Sequence, residues 1–167
     1  MRTCVLAALF ALSGCEIPLG GGPSRTSVPD DSAGHSVAFS LAGPGGVAVV
    51  VPVSVNGGPE VPFVLDTGAT LTCIDTALAD SLGLPRQPGV AGVGATISGA
   101  GSVGVVRADS FRVGAASAYD LPLCTVDLSA LTRVGLEAEG LVGLNFLKAF
   151  RVGIDFEAER LTLERPE

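Results

Sequence analysis

Residues 60–75, EVPFVLDTGATLTCID, decide how this chain folds. An apolar strand, Val61 to Leu65, delivers one carboxylate, Asp66, into a turn made by Thr67 and Gly68. A second strand-like run, Ala69 to Ile74, leads away from it. Asp and Gly are ordinary turn formers, so a plain surface β-turn is the alternative reading. Three features oppose it. The apolar flanks put the turn among packed strands, and the β-branched Thr67 sits where a simple loop accepts anything small and polar. The third is an apolar-Gly element far downstream, Leu141-Val142-Gly143-Leu144.

The whole chain bounds the fold class. Its 167 residues suffice for one domain with appendages and a real core. A chain that is 47% hydrophobic and 16% charged, with 23 Gly, 11 Pro and no Trp, favours many short strands and turns over helices. A formal charge of −7 excludes nucleic acid as a partner, because phosphate binding needs a basic face.

Several chemistries are excluded by the same pass. Gly99-Ala100-Gly101-Ser102-Val103-Gly104 matches G-x-G-x-x-G, but Val105-Val106-Arg107 does not open a helix and Asp109 follows too soon for a ribose contact. A serine or cysteine triad needs a positioned His, and the one histidine, His35, lies in a Gly/Pro/Ser-rich stretch. There is no zinc spacing and no cluster of oxygen ligands, so neither a metal nor any other cofactor is expected. Asp109 and Asp155 read as surface carboxylates.

At the N-terminus, Met1-Arg2 precedes an apolar run, Val5 to Leu12, of signal-peptide length. Leu12-Ser13-Gly14-Cys15 follows and resembles the bacterial lipobox, which implies that 1–14 is a signal peptide and Cys15 is lipidated. The chain is then expected to be exported and anchored to the cell envelope, with Glu16 leaning toward the periplasmic face of the outer membrane. Residues 15–36 read as the lipidated Cys and a flexible tether holding the domain about 25 Å from its anchor. Two thiols remain, Cys73 and Cys124, both in apolar strand-like runs; they are either a disulfide or two buried free thiols.

The folded domain is expected over 37–167. Val37 to Leu41 and Val47 to Val55 read as strands, the second broken by Pro52 at an edge or bulge. Asn56-Gly57-Gly58-Pro59 is a hairpin signal returning the chain into Val61–Leu65. Asp75 or Thr76 caps a short helix, Ala77 to Leu82, closed by Gly83 and Pro85. Gly89 to Val106 reads as a Gly-rich hairpin. Further strands are expected at Ser110–Val113, Leu121–Val126 and Ile154–Leu163, with a second short helix over Asn145–Phe150.

The apolar run ending in Asp66-Thr67-Gly68-Ala69, joined to Leu141-Val142-Gly143 and to Arg151-Val152-Gly153-Ile154-Asp155-Phe156, resembles the single-lobed, retropepsin-like bacterial aspartic peptidases over residues 47 to 165. The resemblance implies an all-β, single-lobe acid-protease barrel, partly closed, with two short helices. It implies Asp66 as the catalytic residue, Thr67, Gly68 and Ala69 as the active-site loop, and Leu141, Val142 and Gly143 as the second hallmark. The hairpin carrying Gly92, Gly94, Gly99 and Gly101 takes the place of the flap, without an aromatic at its tip. Asp-Thr-Gly occurs once, and the reaction needs two carboxylates, so a homodimer acting on an extended peptide or protein is expected. A catalytically inactive peptide-binding or envelope-interaction lipoprotein on the same barrel is the alternative.

Overall fold

The computed structural model describes residues 22–29, 36–96 and 99–166. Residues 1–21, with the signal-like run and Cys15, lie outside them. In chain order the elements are β1 (Arg25–Ser27), β2 (Ser36–Ala38), β3 (Ser40–Ala42), β4 (Ala48–Val55), β5 (Val61–Leu65), β6 (Cys73–Asp75) and α1 (Thr76–Ser81). There follow β7 (Arg86–Thr96), β8 (Gly99–Val113), β9 (Ala116–Val126), α2 (Ser129–Thr132), β10 (Gly140–Val142), α3 (Leu144–Leu147), β11 (Arg151–Asp155) and β12 (Arg160–Glu164).

Local chemistry sets the joints. Asn56 and Gly57 both take positive φ, 50° and 72°, and Gly58 N–H donates to the Val55 carbonyl at 2.9 Å. That is a type I′ turn, whose twist suits a hairpin. Asp75 caps α1 by accepting from Ala77 N–H at 2.8 Å, and Gly83, at φ 61°, ends it.

Six strands close a ring in the order β9–β6–β10–β5–β4–β8 and back to β9, a closed barrel. At the end of β8 burial alternates, with Phe111 and Val113 buried and Arg112 exposed between them. The core is strung on aromatic rings meeting largely edge to face. Phe63 lies 5.6 Å from Phe111, Phe111 5.2 Å from Phe146, and Phe146 4.9 Å from Phe150. A separate three-stranded sheet, β11–β12–β2, adds buried Leu161 and Leu163 to the same core.

A second apolar cluster lies behind β6 and β9, built from Cys73, Cys124, Val126, Leu128 and Leu131. It explains why β9 is buried without alternation from Leu121 to Val126, since both of its faces are covered there. Leu128 and Leu131 come from α2 and its cap, a third short helix that the sequence reading missed.

Pro52 sits inside the barrel, not at an edge. Its neighbour across one side of β4 changes from β3, paired through Val50, to β8, paired from Val53, and on the other side it faces Pro62. A residue without an N–H costs least where one ladder stops and the next begins. The domain also begins earlier than Val37. Residues expected in the tether form β1, which pairs Arg25 with Tyr119 and Ser27 with Ser117, with the Arg25 guanidinium 4.1 Å from the Tyr119 ring centre. Val28, next along, is buried.

Candidate active site

β5 ends at Leu65 and hands the chain to Asp66. The second hallmark runs directly beside it: β10 is parallel to β5, with Gly140 opposite Phe63 and Val142 opposite Leu65, and antiparallel to β6. The strand from the far end of the chain therefore threads between the strands that enter and leave the Asp66 turn. Glycine permits this. A Cβ on Gly140 would fall 2.0 Å from a ring carbon of Phe63 and 2.5 Å from the Cys73 carbonyl oxygen. On Gly143 it would fall 2.4 Å from the Leu71 backbone.

Asp66 N–H donates to the Val142 carbonyl at 3.0 Å, so the residue is held by the crossing strand. Its Oδ1 accepts from Gly68 N–H at 2.9 Å, and its carbonyl accepts from Ala69 N–H at 3.3 Å. The side chain is half-buried, with Thr67 and Gly68 exposed beside it. The Thr67 hydroxyl has no partner within the protomer among the described residues. A Cβ on Gly68 would meet Asp66 Oδ1 at 3.2 Å, so glycine there leaves the carboxylate room. The run Ala69 to Ile74 is strand only at Cys73–Asp75; Ala69 to Thr72 is loop docked on α3.

That docking uses two buried polar residues that sequence reading did not single out. Thr72, 0% exposed, donates from N–H and from Oγ1 to Asn145 Oδ1, at 2.7 and 2.8 Å. Asn145, 4% exposed, donates from Nδ2 to the Pro122 carbonyl at 2.9 Å. Gly143 N–H donates to Thr72 Oγ1 at 3.1 Å, while Leu144 and Asn145 N–H donate to the Ala69 and Thr70 carbonyls. The only sequence signal was one amide in the apolar run Leu144–Phe150.

The hairpin in the flap's place is formed. Gly92 pairs with Val103, Gly94 with Gly101 and Thr96 with Gly99. β8 joins β9 only from Gly104 onward, so among the described residues 91–96 and 99–103 pair only with each other and extend past the barrel. Cys73 and Cys124 lie opposite in register on parallel strands, Cα atoms 4.4 Å apart, and are joined as a disulfide. Among the described residues no group of three or more His, Cys, Asp or Glu could hold a metal ion, and no helix is long and apolar enough to cross a membrane.

The family model for aspartyl protease matches residues 51–146, more than half of the chain. Among solved structures, this fold is similar to a retropepsin-like aspartic protease from Rickettsia conorii, at 18% identity and a TM-score of 0.51, covering 83% of this chain and 92% of that one. It is also similar to the retroviral protease-like domain of Ddi1 from Leishmania major, at 16% identity and a TM-score of 0.50, covering 72% of this chain and 94% of that one. No curated protein matches. At these identities the structural likeness speaks for the fold. The matched segment holds both the Asp66 turn and the strand threaded beside it, and by that match the chain belongs to the aspartyl protease family, with a retropepsin-like fold.

Proposed function

We propose that this chain is an aspartic endopeptidase, active as a homodimer in which Asp66 of each copy supplies half of one catalytic pair. The observation that carries the reading is the threading of β10 between β5 and β6, which fixes the single Asp66 at the barrel's surface, half-buried. Peptide hydrolysis by this route needs one ionised carboxylate to take a proton from water and one protonated carboxyl to donate to the scissile carbonyl. Two carboxylates at hydrogen-bonding distance cannot both be ionised, the known behaviour of aspartic-protease pairs, so they share a proton and titrate together. A two-fold axis brings a residue to its own copy, which one Asp66 per chain requires.

Two features support a second copy. The Thr67 hydroxyl, exposed and without a partner among the described residues, would be free to bond across the axis. Strand β11 pairs only with β12 among the described residues and exposes Val152 (37%), Ile154 (38%) and, just beyond it, Phe156 (61%). A second β11 laid antiparallel about Gly153 would set Val152 against the partner's Ile154. An extended peptide would add as a strand to the β7–β8 hairpin, which would exclude water on closing.

The reading extends to location: a signal peptide over 1–14, lipid on Cys15, and an envelope site facing the periplasm. The Cys73–Cys124 disulfide is consistent with an exported chain. Mass spectrometry of the mature N-terminus should find lipid on Cys15, and Cys15→Ala should release the protein from membranes. The function itself is tested by incubating the chain and its Asp66→Asn variant with a peptide library across about pH 3 to 8, a span that includes both the ordinary aspartate pKa and neutrality. Cleavage by the first and none by the second is expected; equal cleavage by both would remove Asp66 from the reaction.

A further inference from the structure

We propose that Asn145 and Thr72 are positioning residues for Asp66, and that their side chains, acting with the backbone bonds between the loop and the start of α3, set the height of the catalytic loop on the barrel. The proposal rests on the peptidase reading above. Along one edge of β9 the ladder is interrupted: β1 pairs as far as Tyr119 and β6 begins at Cys124. The Pro122 carbonyl falls in the gap. Asn145 fills it with a side-chain amide that acts as a missing peptide group would, donating from Nδ2 to Pro122 on one side and accepting at Oδ1 from Thr72 N–H on the other. An ionised carboxylate could accept but not donate, and an aliphatic side chain could do neither.

Thr72 extends the link in the other direction. Its hydroxyl donates to Asn145 Oδ1 and accepts from Gly143 N–H. Gly143, Leu144 and Asn145 open α3, where N–H groups have no partner one turn back. All three are satisfied by the catalytic loop, through Thr72 Oγ1 and the Ala69 and Thr70 carbonyls. Ala69 N–H in turn donates to the Asp66 carbonyl, whose own N–H is held by Val142. A displacement at Asn145 therefore reaches Asp66 through bonded backbone. In a symmetric pair the displacement occurs in both copies, so the distance between the carboxylates registers it twice.

The test uses three full-chain variants. Thr72→Val keeps the shape but removes both bonds of the hydroxyl; kcat should fall about a hundredfold, the cost typical of a small misplacement. KM should stay within about twofold of its original value, since peptide binding is not the interaction removed. Thr72→Ser keeps both bonds and should recover most of kcat. Asn145→Asp should be poorly active near neutrality and gain on the parent as the pH falls, because only the protonated carboxyl can donate to Pro122; the ratio of its kcat to the parent's at each pH separates this from the protonation of the Asp66 pair. Unchanged kcat in Thr72→Val, or no rescue by Ser, would overturn the proposal. If Thr72→Val does not fold, the pH profile of Asn145→Asp decides, and a profile parallel to the parent's would overturn it. If the parent chain itself cleaves no peptide, the peptidase reading fails, and amide exchange then decides the loop's anchoring separately. Faster exchange at Ala69 and Leu144 in Thr72→Val, but not in Thr72→Ser, supports it; unchanged exchange overturns it.

Discussion

The two ends of the Asp66 loop come out differently finished. At the lower end Thr72 is fully buried, every polar atom of its side chain and of Asn145 is bonded, and Gly143 lies so close to Leu71 that no side chain fits. At the upper end Thr67 is exposed and, among the described residues, its hydroxyl has no partner and Asp66 Oδ1 is bonded to the loop's own Gly68 alone. Unpaired polar groups are tolerated where water reaches them and costly where it does not. The lower end is therefore completed by one chain, whereas the upper end is open to a second. Fold stability should depend on the first region and catalysis on both.

That contrast can be broken at either end. Asp66→Asn should show the largest effect: cleavage reduced by at least about 10²- to 10⁴-fold, the usual contribution of an acid–base group, with melting temperature and dimer mass nearly unchanged. Gly143→Ala should reverse the pattern. Its Cβ would press on the Leu71 backbone, and chemical denaturation should show a loss of about 3 kcal/mol, the upper end of the usual cost of overpacking. Replacing Cys73 and Cys124 together by Ser frees a loop spanning 51 residues in sequence and should lower stability by about 2–4 kcal/mol, read by denaturation with and without reductant. Thr67→Ala should leave the melting of the monomer alone and weaken the dimer by about tenfold, the worth of one or two hydrogen bonds, as measured by sedimentation.

The smallest effect belongs to Asp127 before α2. Hydrogen bonds from the Ser129 side chain and backbone hold its pKa below the usual aspartate value. A depressed folded pKa means stability that is present above the unfolded pKa and lost as pH falls through the folded one. Asp127→Asn should therefore lower stability slightly near neutrality and flatten its fall in the acidic range, so that variant and parent converge once Asp127 is protonated.

The Asp66 turn and the strand beside it were legible because their chemistry is local. An apolar run ending in Asp-Thr-Gly carries its own turn and strand, and the Leu141-Val142-Gly143 element supplies apolar residues and a glycine where backbones must touch. Hairpin joints at Asn56-Gly57 and the Asp75 cap were legible for the same reason. What stayed hidden depends on distant partners. Thr72 and Asn145 are 73 residues apart, and a single Asn in an apolar stretch does not announce a buried bond to a threonine. Pro52 signals an edge unless one knows that two ladders meet beside it. β1 lacks apolar alternation, because all three of its residues are exposed and it is held by the β9 backbone and by Arg25 against the Tyr119 ring.

The most direct test of the shared site is to mix the parent chain with Asp66→Asn and allow the copies to exchange. With equal amounts, about a quarter of random dimers carry two intact carboxylates, so activity per parent chain should fall to about half and continue falling as the variant is added in excess. Activity per parent chain that stays constant at any excess of Asp66→Asn would contradict a site built from two copies.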